Sequence, residues 1–487
     1  MAALISVRRV EVFVTTLRNR MPFRYGIAEM TVLPHAFVRI EAVIDGRSVE
    51  GIAADNLPPK WFTKDPASSI EADLREFKTV LEAAVSAAED APAGTAFDTW
   101  YHVHHELTRW GAERALAPLL TSFAASLVER ALIDAACRAA SVPFHSAIRS
   151  GVLGFDVAQI HPGLTGSTAG SLLPAARRSL RVRHTVGFGD PLTDADIPEA
   201  ERLDDGLPQS LEANLRGYGI TYLKIKVAGN VAADAERLSR IHELTSTAVR
   251  EGDVRFTLDG NEHFTDVPQF REYWGELTSA PALAGFFRQL LFLEQPLHRS
   301  VALSGTTAAD LAAWEGRPEM IIDESDSALD SVSSGLSSGY IGASHKNCKG
   351  VFKGVANAML LESRRRAGHR AVQSAEDLTN IGPVALLHDL AVVSSLGMSH
   401  VERNGHQYFR GLSGFPDDLQ GAVQTAHGDL YAEHPGGFPT LRIRDGSIRL
   451  DTVVDAPFGV GIEPDALRVD RFTPLADWAV PEAVPSL

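Results

Sequence analysis

A series of charged residues stands at the ends of short apolar runs across the middle of the chain. Lys224 and Lys226 close TYLKIKV, Asp259 closes RFTLDGN, Glu294 closes LLFLEQP, and Asp323 and Glu324 close EMIIDES. Lys346 follows in GASHKNCKG, Glu376 in AVQSAED and Glu402 in SHVERNG. From Lys226 onward these ends lie 23 to 35 residues apart. A (β/α)8 barrel of about 250 residues gives each strand–helix unit roughly 31, and its chemistry gathers at the carboxyl ends of the strands. The spacing therefore predicts one ring of charges around one barrel mouth.

Alternation along a strand sorts the ring into inward and outward groups. Lys224 and Lys226 share one face, and Ile225 and Val227 take the other. Apolar helices cover the outside of a barrel, which suits Ile225 and Val227 and turns both lysines inward. Two interior ammonium groups are costly unless acids compensate them, and Asp259, Glu294 and Asp323 arrive on the next three strands. Interior salt bridges alone would also account for such pairs. Buried ion pairs are poor stabilisers, however, and so many at one mouth exceed what stability needs.

Three converging carboxylates repel, and without a cation one of them takes up a proton. An all-oxygen cluster with open positions suits Mg²⁺, with Mn²⁺ as a substitute, and no His or Cys joins it to favour zinc. A cation facing lysines on opposite walls points to removal of the weakly acidic proton next to a carboxylate, with the cation stabilising the enediolate. The base is a lysine whose pKa a second ammonium and the cation depress. Lys226 on strand two and Lys346 on strand six lie nearly opposite in an eight-stranded ring and reach the two faces of one carbon.

The motifs Lys224-x-Lys226, Asp259-x-Asn261, Glu294-Gln295-Pro296, Asp323-Glu324-Ser325 and Lys346 followed by Lys349-Gly350 resemble the enolase superfamily. Within it they are most similar to the muconate-lactonizing-enzyme subgroup of the mandelate racemase/muconate lactonizing enzyme family. The resemblance implies an α/β fold, a (β/α)8-type barrel with an α+β N-terminal capping domain completed by the C-terminal tail. It implies Mg²⁺ on Asp259, Glu294 and Asp323, Lys226 and Lys346 as the acid/base pair, and Lys224 neutralising the substrate carboxylate. The lid is expected in MPFRYG, with Phe23, Arg24 and Tyr25 over a small-molecule carboxylate substrate, and Asn261, Glu324 and Glu376 are further substrate contacts. Racemisation or epimerisation, cycloisomerisation and syn-dehydration all follow from such proton abstraction. The chain departs from the pattern at Gly350-Val351, where the family usually has two glycines, and in an acidic insertion after strand one. The His–Asp dyad of mandelate racemase is missing; Glu376 and Asp377 are as consistent with pairing to basic neighbours as with substrate contact, whereas for Glu402 and His406 pairing is the better account.

The elements that must position this ring are legible in outline. Residues 1–150 read as an α+β cap: VRRVEVFVTTL and AFVRIEAVID alternate as strands, and Asp45-Gly46 turns the second into RSVEGIAA. The proline-punctuated stretch between the first two strands is expected to be a long loop, and NLPPKWFTKDP, carrying Trp61, reads equally as a second lid or an ordinary loop. His102, His104 and His105 offer metal-ligand spacing, but an ordinary amphipathic helix accounts for them better. Residues 151–410 alternate strand and helix, beginning with RVRHTVGFGD, as a parallel sheet requires. Residues 411–487 contain PTLRIRDGSIRLDTVV, a hairpin signal around Asp445-Gly446, and are expected to return to the cap.

Composition narrows the partners. A formal charge of −16 over 487 residues opposes nucleic-acid binding. Two cysteines, Cys137 and Cys348, form neither a disulfide framework nor a zinc motif and suit a reducing, cytoplasmic setting. Arg8 and Arg9 interrupt the apolar start, so no signal peptide is expected, and no uncharged run reaches membrane-spanning length. A homo-oligomer is expected. The segment VGFGD lacks the third glycine of a dinucleotide site, and no P-loop motif occurs. The competing readings are a Schiff-base aldolase using Lys226 or Lys346, trapped by borohydride without metal, and a barrel that binds without catalysis.

Overall fold

Period-2 alternation at the start of the chain produces longer strands than its prolines suggest. The computed structural model describes residues 2–25, 28–249 and 253–481, and the side chains of residues 25, 28 and 30 lie outside that description. β1 (Ile5–Tyr25), β2 (Ala28–Ile44) and β3 (Arg47–Asn56) form an antiparallel sheet. Asp45 and Gly46, at φ of 49° and 82°, supply the two left-handed residues that a tight hairpin turn needs. The loop expected over MPFRY is instead the far end of the β1–β2 hairpin, with Phe23 opposite Met30 and Arg24 opposite Glu29. A register shift between Arg18 and Phe23 absorbs Pro22, which has no N–H for the ladder.

Three helices back this sheet: α1 (Ile70–Glu89), α2 (Ala96–Ala112) and α3 (Pro118–Ala140). The three histidines fall on α2, where His104 is buried against Trp100 and burial pushes its imidazole down to about 3. α3 is buried along most of its length and ties the first sheet to later parts of the chain. Its Arg130 bridges Asp55 at 2.9 Å, and its Glu129 accepts the Val351 and Phe352 N–H groups at 2.8 and 2.6 Å. Val351, which stands where the resemblance expects a second glycine, thus opens the helix Val351–Arg366 on a carboxylate from α3.

The second sheet is parallel. Its strands are β4 (Ser179–Val186), β5 (Tyr222–Lys226), β6 (Arg255–Asp259), β7 (Leu290–Glu294), β8 (Met320–Ile322), β9 (Gly342–His345), β10 (Val372–Ala375) and β11 (His400–Arg403). Their order is β10-β9-β8-β7-β6-β5-β4-β11. The sheet curls, so that Glu294 of β7, Glu402 of β11 and Glu376, just after β10, meet at the side-chain nitrogen of Lys224 of β5 in its interior. Gly342 marks the tightest approach: a Cβ there would lie 1.7 Å from the Val372 carbonyl oxygen. Gly342→Ala is expected to force β9 and β10 apart and cost about 1–3 kcal/mol, read as a lower midpoint in thermal unfolding.

The acidic insertion after β4 packs on the β1–β2 hairpin. Arg20 holds Asp205 through two bonds of 2.6 and 2.8 Å and donates to the carbonyls of Pro208 and Gln407 at 3.0 and 2.9 Å. In the tail, Asp445 and Gly446 form a tight turn closed by Arg444 and Ser447, which exchange two backbone bonds of 2.9 Å, so the expected hairpin is present for one bridge and its longer flanks pair elsewhere. Phe438–Leu441 pairs with Tyr431–His434, whereas Ser447–Arg449 pairs with β4. Gly446 is committed to the parallel sheet, donating to Tyr218 O and accepting from Val182 N. Thr473–Pro474 then lies against β1. Among the described residues, no helix is long and apolar enough to cross a membrane.

Candidate active site

Register brings the charged strand ends into one layer. Lys226 is level with Asp259 on the neighbouring strand, and Asp259 with Glu294 on the next. Asp323, Lys346 and Glu376 each follow directly on the ends of β8, β9 and β10. All are buried.

Lys224, one layer deeper, sits in a cage of acids. Its Nζ lies 3.1 Å from Asp259, 2.9 Å from Glu294, 2.8 Å from Glu376 and 3.1 Å from Glu402. Lys226 Nζ donates to Asp259 at 2.8 Å and to Asn261 Oδ1 at 2.7 Å. Across the mouth, Lys346 Nζ bridges Asp323 at 2.5 Å and Glu376 at 3.0 Å, and Lys349 takes the other Asp323 oxygen at 2.7 Å. Arg183, inward-facing on β4, closes the set from below, 2.9 Å from Glu376.

These contacts outweigh burial unevenly. Burial would lower Lys224 and Lys346, yet the surrounding carboxylates hold both well above the usual lysine range, so both are ammonium ions. Burial would raise Asp259 and Glu376, but Lys224 with Lys226 brings Asp259 down to about 2, and Lys224, Lys346 and Arg183 hold Glu376 well below its ordinary value. Glu294 goes the other way. Burial and the neighbouring Glu376 push it well above the carboxylate range. Glu324 is likewise raised to about 8 by burial and by Asp323.

Carboxylate oxygens of Glu294, Asp323 and Glu376 lie within 4.8 Å of one another. This all-oxygen set, with Glu294 crowded enough to favour a proton, fits a hard divalent cation that would replace the proton. Asp259 stands outside that cluster, its Oδ2 engaged by both Lys224 and Lys226.

A cavity of about 50 Å³ lies above the layer, lined by Lys226, Asp323, Glu324 and Lys346 from the strand ends and by Phe23 and Trp61 from the cap. Lys224 and Asn261 also line it. Glu376 lies beneath, bound to three cations, and the Tyr25 side chain falls outside the described residues. His406 points away from the cavity to His184, with 3.1 Å between ring nitrogens. Sequence reasoning missed Arg183, whose alternation in RVRH was its only signal. It also missed Glu262 and Arg299, which follow DGN and EQP closely but carry no periodic mark.

Solved structures similar to this architecture share one fold. An N-succinyl Arg/Lys racemase from Bacillus cereus superposes with a TM-score of 0.59 at 14% identity, covering 96% of this chain and 98% of that one. The fold is that of the mandelate racemase/muconate lactonizing proteins. A protein so described from Herpetosiphon aurantiacus gives a TM-score of 0.55 at 17% identity, with 93% and 97% of the two chains covered. A dipeptide epimerase from Enterococcus faecalis V583, complexed with Mg and the dipeptide L-Leu-L-Tyr, gives 0.56 at 16% identity over 93% and 99%. No protein-family profile and no curated protein matches the chain. The mandelate racemase/muconate lactonizing fold is thus reached through shape, at identities where sequence comparison is silent.

Proposed function

We propose that the protein is a divalent-cation-dependent racemase or epimerase that exchanges the proton α to the carboxylate of a small acid. The observation that carries this reading is the pair Lys226 and Lys346, four strands apart in the sheet order and lining one cavity from opposite walls. Two bases facing one carbon let a proton leave on one side and return on the other. The activities named for the similar Bacillus and Enterococcus proteins, racemisation and epimerisation, support this choice over cycloisomerisation or dehydration. The curled sheet is taken as a (β/α)8-type barrel spanning residues 151–410, capped by residues 1–150 and by the returning tail, 411–487.

Glu294 and Asp323, with Asp259 or Glu376, would hold Mg²⁺. When bound, the cation draws charge from the substrate carboxylate and makes the adjacent C–H more acidic. Lys346, already an ammonium, is set to deliver a proton on its face. Lys226, oriented by Asp259 and Asn261, accepts one on the other. Phe23 and Trp61 exclude water from the carbon between them, which strengthens each electrostatic contact inside.

The test is a screen of chiral carboxylic acids in deuterated buffer with Mg²⁺, read by NMR. Deuterium at the α-carbon with loss of configuration is the expected result, and deuterium with full retention for every acid that exchanges would remove the two-base reading. A titration with Mn²⁺ followed by electron paramagnetic resonance separates the candidate ligands. Asp323→Asn and Glu294→Gln are each expected to weaken binding at least about tenfold, in line with loss of a direct ligand. Asp259→Asn and Glu376→Gln identify the third: the true ligand weakens binding likewise, and the other leaves it within about twofold.

A further inference from the structure

Two loops that face each other across the mouth hold an unusual backbone. Asn261 and Glu262, after β6, have φ of 43° and 62°, and Lys60 and Lys64 in the cap loop have φ of 66° and 51°. Non-glycine residues seldom adopt this region, and four in two apposed loops require strong external restraint.

Lys60 is held by Asp73, through its backbone N–H at 2.9 Å, and the restraint on the other three converges on one buried carboxylate. Glu262 accepts from Arg299 three times, from the backbone N–H at 2.9 Å, from Nε at 2.8 Å and from Nη2 at 2.8 Å. Lys64 pairs with the same carboxylate at 3.0 Å and donates to the Asn261 carbonyl at 2.5 Å. Arg299 then spends its remaining reach on the cap loop, donating to Phe62 O at 2.7 Å and Trp61 O at 3.0 Å. Phe62 is anchored among Phe77 and Phe123, with ring centroids 5.3 and 5.0 Å away. Trp61 is thereby fixed through its carbonyl on one side and its neighbour's ring on the other. Its own ring lies 5.0 Å from Lys346 Nζ, within cation–π range.

We propose that Glu262 is a latch between cap and strand ends that sets Trp61 over the Lys346 ammonium, making Glu262 a positioning residue for proton transfer on that face. Glu262, Arg299 and Lys64 do not line the cavity; Glu262 and Arg299 reach it through Trp61, while Lys64 also holds the Asn261 carbonyl, a contact that Glu262→Gln leaves in place. The consequence for Lys346 rests on the two-lysine reading above, whereas the latch stands on the contacts themselves.

The full-length protein tests the two parts separately. Native-state trypsin digestion, read by mass spectrometry at the Lys60–Trp61 bond, reports the latch without any substrate. Glu262→Gln is expected to speed cleavage there at least tenfold, and Lys64→Gln, which spares the Arg299 contacts, to speed it less. If both variants are cut at the parent's rate, there is no latch. Should Glu262→Gln fail to fold, Lys64→Gln alone decides, since unchanged cleavage in it overturns the proposal. For an acid that the parent exchanges, Glu262→Gln should slow α-deuterium exchange about tenfold for the enantiomer facing Lys346 and leave the other within twofold. Equal slowing of both enantiomers overturns the positioning role. Faster cleavage in a protein whose parent exchanges no acid upholds the latch and rejects the enzymatic reading instead.

Discussion

Lys226→Ala is expected to abolish racemisation and to cut α-proton exchange by 10²–10⁴-fold for one enantiomer, the usual share of a positioned proton-transfer group. The other enantiomer, facing Lys346, should still exchange and retain its configuration. This asymmetry separates loss of a base from loss of structure, because a collapsed site would silence both. The site should stay assembled: Asp259 loses one partner but keeps Lys224 at 3.1 Å, and Asn261 keeps its backbone bond to Asp259 at 2.9 Å. NMR of each enantiomer in deuterated buffer checks the result. Undiminished exchange of both would remove Lys226 from the chemistry.

The largest effect on stability is expected from Lys224→Met. Methionine fills most of the volume but leaves four buried acids without their common ammonium. Removing one partner of a buried charge network costs about 3–5 kcal/mol, so the variant should unfold at markedly lower denaturant. The loss should depend on pH in a definite sense. Although burial raises the Glu376 carboxyl, Lys224, Lys346 and Arg183 hold it well below its ordinary value in the folded protein. A carboxylate so depressed stabilises the fold above its unfolded pKa, and that contribution fades as pH falls through the folded value. The gap between parent and variant should therefore be widest near neutrality and narrow in acid. A gap that grows on acidification would contradict the cage.

What could be read from the sequence, and what could not, divides along the range of the interactions involved. β5 to β11 were legible because each is a short apolar run broken by a charged end, a pattern written within seven or eight residues. Asp45-Gly46 was legible because a tight turn needs two residues at positive φ, whatever surrounds it. Asp445-Gly446 carries the same signal, but its flanking segments are claimed by β4 and by Tyr431–His434, partners that no local pattern names. Pro22 made a strand look like a loop, since the register shift that accommodates it is a property of two strands together. In the site, the lysines and acids at the strand ends stood out. Arg183, Glu262 and Arg299 did not, because their partners are 193, 37 and up to 238 residues away in the chain.

The pairing of Thr473–Pro474 with β1 has a bearing on biosynthesis. Phe13 and Val14 are synthesised some 460 residues before the segment that covers their edge. At roughly 5–20 residues per second, that edge waits on the order of half a minute or more with unpaired N–H and C=O groups, an invitation to foreign strands. Arg8, Arg9 and Glu11 beside it are charges of the kind that keep such edges from pairing with foreign strands.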